Sequence, residues 1–250
     1  MLRLIGKCLH VGILEDGGIV TPETGTTQGS TLSPLLANVY LHYVLDLWFE
    51  EEVKVQLRGH ATLIRYADDF VIAFGRKDDA ERVHGWLVSR MAEYGLDLHP
   101  DKTRLVDFRR PPSDKRGGKG PGTFDFLGFT VLWTRSRRGH RYIATHTRVS
   151  RLRRAGTAIH AWCKSHRHLP VKEQHAALVR RLRGHFNYFD VRGNARRVRL
   201  MVREAERFWH KWLNRRSQRS TMSWKRFKDL LRDYPLPVPT SAKVLWGNAL

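Results

Sequence analysis

Up to about residue 148 short apolar runs alternate with amphipathic stripes, and from about Val149 onward the spacing is helical. Residues 2–13 mix basic and apolar positions (Leu2, Leu4, Ile5, Leu9, Val11, Ile13) and read as the end of a helix. Glu15-Asp16-Gly17-Gly18 is a turn, and Ile19-Val20-Thr21 a short strand. A Gly- and Thr-rich loop then enters a helix capped by Ser33 and opened by Pro34. That helix should run to about Glu51 and bury Leu36, Val39, Tyr40, Tyr43, Val44 and Leu47. The sharpest pattern is Leu63–Phe74, two runs rich in Ile, Val, Phe and Tyr around a turn, which predict a β-hairpin with Asp68 and Asp69 at its tip. Asp78-Asp79 cap a further helix that buries Val83, Trp86, Leu87, Met91 and Tyr94 and ends at Gly95. A strand is expected at Arg104–Phe108, then a basic loop rich in Pro and Gly, then strands over Thr123–Trp133 and Arg141–Thr147 joined by a basic turn.

Beyond Val149 the pattern gives three helices. Pro170 divides Arg151–His166 from Val171–Phe189, and Arg192-Gly193-Asn194 starts the third. The third carries an apolar stripe of Val198, Met201, Val202, Ala205, Phe208, Trp209 and Trp212. Beside it Arg199, Arg203, Arg207 and Lys211 recur every four residues, a row that repels itself unless it meets phosphate. A solvated face is the plainer alternative, but such faces usually interleave acids, and here Glu204 and Glu206 stand alone.

Charge sharpens this division. The chain carries 45 Lys+Arg against 24 Asp+Glu, a formal +21. The first 130 residues hold 16 basic and 18 acidic residues, and the remaining 120 hold 29 and 6. A near-neutral front and a strongly basic back suggest a catalytic body followed by a polyanion-binding module. Cys8 and Cys163 are the only cysteines, so a zinc cluster or disulfide framework is excluded and a reducing compartment fits. No apolar run approaches a membrane span.

Two adjacent carboxylates between apolar strands need a reason, because unpaired buried charge is costly. Asp is also a common turn residue, which is the bland explanation. A divalent metal is the sharper one: two Mg²⁺ ions about 4 Å apart, held by hard oxygen ligands, suit in-line attack on a phosphate.

Tyr66-Ala67-Asp68-Asp69 resembles the catalytic hairpin of reverse transcriptases, and its Ala form resembles the group II intron-encoded and related bacterial enzymes. Gln28, Gly29, Ser33, Pro34, Leu36 and Asn38 match the family block Pro-Gln-Gly-x-x-x-Ser-Pro-x-Leu-x-Asn, with Thr27 in the place of Pro and Ser30 where Gly is frequent. Gly95-Leu96-Asp97-Leu98 with Lys102-Thr103 resembles the block whose Lys approaches the triphosphate. Phe126-Leu127-Gly128-Phe129 resembles the hairpin set against the primer terminus. Leu182–Phe189 resembles the thumb stretch Gly-Trp-x-Asn-Tyr, with His185 in place of Trp.

The resemblance implies an α+β fold, with a partial palm over residues 1–148 and an all-α basic thumb and maturase-specific domain over 149–250. It implies RNA-directed DNA polymerase activity with intron RNA binding. Asp68 and Asp69 would be the Mg²⁺ ligands, and Lys102 would act on the triphosphate electrostatically or as a general acid. Gln28, Gly29, Tyr66 and Ala67 would contact nucleotide or template, Leu127 and Gly128 would grip the primer, and Arg199, Arg203, Arg207 and Lys211 would hold RNA. Partners would be template or intron RNA, a DNA target or primer, and deoxynucleoside triphosphates. The location would be the bacterial cytoplasm, at the nucleoid.

The family's first carboxylate lies in a strand block of the form Asp-Ile-x-x-Phe-Phe-Asp, which these 250 residues do not contain. Glu15, Asp16 and Asp46 are poor substitutes, lying in a turn or a helix. The expectation is an N-terminally truncated copy, Met1 being an internal start, a fragment boundary or one piece of a split gene. Such a chain would be weak or inactive alone and completed by a homodimer or a missing half in trans. The alternative is a non-catalytic RNA-binding protein that assists splicing; retron and diversity-generating enzymes fit the thumb block less well.

Overall fold

Strand pairing is antiparallel and local, each strand meeting its neighbour in sequence. The computed structural model describes residues 3, 6, 13–15, 18–20, 32–111, 122–136, 138–217 and 221–239. It divides into two units, Met1–Leu105 and Val106–Leu250. Small antiparallel sheets and packed helices make the fold α+β.

In the first unit β1 (Ile13–Glu15) pairs with β2 (Gly18–Val20). Most of the expected helix over 2–13, and the loop holding Gln28 and Gly29, lie outside the described residues. Helix α1 (Ser33–Leu41) follows, with Pro34 in its first turn. Ser33 is its first residue rather than its cap: Leu32 occupies the cap position and no side chain caps the helix.

After Leu41 the winding widens into a π-helix, His42–Val53, and the Lys54 N–H donates to the Phe49 carbonyl five residues back. Of the expected buried face only Val44 is fully buried. Val39, Tyr40 and Tyr43 are exposed, Leu36 and Leu47 half-buried, and the core takes Val44, Leu45, Trp48, Phe49 and Val53. Steps of four and five residues match the wider turn, whereas the expected face assumed 3.6.

β3 (Ala61–Tyr66) and β4 (Asp69–Phe74) form the expected hairpin, in register from Ala61 opposite Phe74 to Tyr66 opposite Asp69. Ala61, Leu63, Phe70, Ile72 and Phe74 pack with the π-helix residues and with α2 (Lys77–Glu93). Helix α2 buries Val83, Leu87 and Met91 as expected, with Trp86 half-buried, but Tyr94 is exposed under the Arg90 guanidinium, 4.4 Å from its ring. Arg76, not Asp78 or Asp79, stands at its N-cap. Asp79 points back to accept the Gly59 N–H at 2.8 Å and Arg82 at 2.6 Å, fastening the preceding loop. Gly95, at φ 66, ends the helix, with the Leu96 N–H on the Met91 carbonyl and the Gly95 N–H on Ala92.

The strand expected at Arg104–Phe108 does not form. There the Asp107 carbonyl accepts the Gly122 N–H, and the Phe108 carbonyl accepts the Trp133 indole. The single strand expected at Thr123–Trp133 is two strands. β5 (Phe124–Phe126), β6 (Phe129–Arg135) and β7 (Arg141–Thr147) form a meander, with Leu127-Gly128 as its first turn. Helices α3 (Val149–Ser165), α4 (Val171–Phe189) and α5 (Ala195–Leu213) then enclose the larger core, joined by α6 (Trp224–Asp233). The expected α5 stripe is buried except for half-buried Phe208. Gln174, fully buried, donates to the His166, Arg167 and Leu169 carbonyls and accepts the Trp209 indole. One side chain thereby satisfies the end of α3 and a core Trp together. No helix among the described residues is long and apolar enough to cross a membrane.

Candidate active site

The β3–β4 turn is two residues long, and its first residue, Ala67, has φ 53. That conformation suits the twist of a hairpin but costs a non-glycine residue about 1–3 kcal/mol. Asp68 and Asp69 are both exposed, and neither carboxylate has an ion-pair or hydrogen-bond partner among the described residues. Tyr66 is 67% exposed beside them. Tyr66, Ala67, Asp68 and Asp69 are therefore presented together on one turn.

Beneath that turn lies a residue to which the sequence pattern assigned no role. Arg65 sits on the inward face of β3, its side chain only 12% exposed. Its Nε and Nη2 donate to the two carboxylate oxygens of Asp46 at 2.8 and 2.6 Å. Its Nη1 donates to Asn38 Oδ1 and to the Ala67 carbonyl, both at 2.9 Å. The guanidinium holds the Asp46 carboxyl below its ordinary range, so Asp46 is a counter-ion rather than a metal ligand. A basic residue inside an apolar strand, with an acid on the facing helix, was the available signal.

Lys102 lies on the turn after α2, where its N–H donates to the His99 carbonyl. Its side chain is exposed and makes no ion pair with Asp68 or Asp69. As to metal, two exposed, unpartnered carboxylates are hard oxygen donors of the kind Mg²⁺ takes. Among the described residues, however, no group of three or more His, Cys, Asp or Glu converges. The pair fits part of a coordination shell.

Leu127 and Gly128 form a second two-residue turn, at φ 48 and 78, the primed pattern in which Gly is favoured. Tyr188 on α4 donates its hydroxyl to the Leu127 carbonyl at 2.8 Å, and its ring stacks on Phe129 with centroids 5.7 Å apart. The Arg148 N–H holds the Gly128 carbonyl at 3.0 Å, and its guanidinium pairs with Asp125. His185, one turn before Phe189, lies against that ring at 4.7 Å, and burial pushes its pKa down.

Arg199, Arg203, Arg207 and Lys211 are all exposed along α5. They are less bare than the sequence suggests. Arg207 pairs with Glu204 at 2.8 Å, and Lys211 Nζ lies 3.5 Å from His160 Nε2. Burial raises the Glu206 carboxyl against the pull of Arg203.

Residues 2–131 match the family model described as reverse transcriptase (RNA-dependent DNA polymerase). Group II intron-encoded protein LtrA of Lactococcus lactis subsp. cremoris is 26% identical over 54% of this chain and 30% of its own length. An uncharacterized 91 kDa protein in a cob intron of Schizosaccharomyces pombe is 27% identical over 46% of this chain and 13% of its own length. The chain thus spans less than a third of the curated relatives it matches. The matched segment contains the carboxylate turn, Lys102 and the Leu127-Gly128 turn, and it covers just over half of the residues. On that match the chain belongs to the reverse transcriptase family.

Proposed function

We propose that the chain works as part of an RNA-directed DNA polymerase of the group II intron type, with a palm over residues 1–148 and a basic thumb and maturase domain over 149–250. The observation that carries this is the pair of exposed, unpartnered carboxylates on a fastened turn inside the family-matched segment. In this reading a primer 3′-hydroxyl attacks the α-phosphate of a deoxynucleoside triphosphate and pyrophosphate leaves. Asp68 and Asp69 would hold Mg²⁺, which when bound stabilises the attacking and leaving oxygens. A third carboxylate would be supplied in trans, by a homodimer or a missing N-terminal half.

Lys102, which makes no ion pair among the described residues, would present its charge to the triphosphate. Tyr66 and Ala67, with Gln28 and Gly29, would contact nucleotide or template. Leu127 and Gly128 offer backbone to the primer, and Arg199, Arg203, Arg207 and Lys211 neutralise RNA phosphates. The second reading is a maturase-like RNA-binding protein without catalysis. It is favoured by the lack of a third converging metal-binding side chain among the described residues.

Primer extension on an RNA template with Mg²⁺, comparing the chain with Asp68→Ala, separates them. Extension that disappears in the variant supports the polymerase. No extension from either, with salt-sensitive RNA binding kept in both, supports the binding protein.

A further inference from the structure

The geometry points to Arg65 as a positioning residue for the carboxylate turn: clamped by Asp46 and Asn38, it fixes the Ala67 carbonyl and so aims Asp68 and Asp69 at a divalent cation. This deepens the polymerase reading and rests on its metal-binding part.

Three observations carry it. First, Arg65 is a charge on the core side of a strand, in line with Ala61 and Leu63, where an ionised group survives only if its donors are used. Four of its five N–H groups are used, and they reach three different elements: the π-helix through Asp46, α1 through Asn38, and the turn through Ala67. An ion pair serving stability alone is complete with Asp46. The remaining bonds go to the turn that bears the carboxylates and to α1.

Second, the Ala67 carbonyl belongs to the residue held at positive φ. A donor fixed on that oxygen resists the peptide rotation that would relax Ala67 and swing Asp68 away. Third, Arg65 lies three and four residues from the two carboxylates yet bonds neither. Asp46 explains this, because a guanidinium already forked onto one carboxylate has no reason to turn to another. Asp46 therefore keeps Asp68 and Asp69 free for a cation, and Arg65 keeps them pointed. The arrangement is an outer shell that orients the ligands of a metal without touching it.

Mn²⁺ added to ¹⁵N-labelled full chain serves as the probe, read as paramagnetic broadening of the Asp68 and Asp69 amides. Arg65→Lys keeps the charge but loses the fork, and Asp46→Asn leaves the guanidinium free to turn onto the carboxylates. Both should weaken Mn²⁺ binding by about 10-fold or more while amides elsewhere keep their dispersion. Arg82→Lys, which perturbs the Asp79 pair in the same unit, should bind Mn²⁺ as the parent does.

Parent-like Mn²⁺ affinity in folded Arg65→Lys and Asp46→Asn would overturn the inference and leave the metal reading standing. No broadening at Asp68 or Asp69 in the parent chain would overturn both. Should Arg65→Lys fail to fold, Asn38→Ala spares the ion pair and removes the clamp on Nη1 together with an exposed bond to the Pro34 carbonyl; weaker binding there supports the role, and unchanged binding counts against it.

Discussion

Two turns in this molecule solve the same problem with different chemistry. Ala67-Asp68 and Leu127-Gly128 each join antiparallel strands through two residues, each begins with a non-glycine residue at positive φ, and each has its first carbonyl held by a side chain, from two residues back at Ala67 and from 61 residues on at Leu127. At Ala67 the holder is a guanidinium neutralised by Asp46. At Leu127 it is a phenol whose ring stacks in an aromatic cluster. The charged grip leaves the two carboxylates exposed, while the aromatic grip leaves Gly128 beside the Phe189 and Arg151 side chains. The tip's chemistry selects the kind of support. In the proposed reading, the turn that presents anions is held by a cation already satisfied elsewhere, and the turn set against the primer is held by a phenol and by packing.

Removing the packing should separate the two most strongly. Phe129 is 7% exposed between Tyr188 and Phe189, so Phe129→Ala should cost about 3–5 kcal/mol in urea unfolding. Amide protection should be lost over 124–147 and kept over 61–74; equal loss in both would break the comparison.

A shift of pH should divide them next. His185 and His146 have pKa values lowered from 6.5 by burial, so their neutral forms are favoured in the fold. The stability they permit is whole above about 6.5 and is lost as pH falls through the lower folded values. Asp46 is lowered from 3.8 by Arg65, so its contribution stays whole until pH falls below about 3.8. Between roughly pH 7 and 5 the Tyr188 turn should therefore weaken while the Arg65 turn holds. Urea titrations at both pH values, followed by the Leu127 and Ala67 amides, check this, and His185→Gln should flatten the response.

Tyr188→Phe is subtler. It keeps the ring stack and removes one hydrogen bond on a residue 52% exposed, a loss of about 0.5–1.5 kcal/mol. Faster exchange of the Arg148 amide, which closes the same turn, would report it. Ala67→Gly should have the smallest effect on stability, under about 1 kcal/mol, because relief at φ 53 offsets the added freedom of the unfolded chain. Its urea midpoint should stay near the parent's.

Much of the scaffold was legible. The alternation on either side of Asp68-Asp69 gave the hairpin, and the span Val171–Phe189 came out to the residue, because Pro170 and an unbroken apolar stripe are local signals. The strand expected at Arg104–Phe108 failed for the opposite reason. Its residues suit a strand, but a strand needs a partner, and there Phe108 packs on Phe124 and Trp133 instead. Past His42 the buried face of the helix after Pro34 differs because winding changes from α to π, which alters the period itself, while Val39 and Tyr40 are exposed already before the change.

By itself the sequence determined what is written in spacing and residue type: the acidic turn between apolar strands, the basic row on α5 and the concentration of charge behind residue 130. Only the tertiary structure decided how the turns are held. Arg65 meets Asp46 across 19 residues and Tyr188 meets Leu127 across 61, and no local periodicity encodes a bond between residues so far apart. Such bonds form when packing brings together two partly buried groups that have no better partner, and the cost of leaving either unpaired then holds the pair in place.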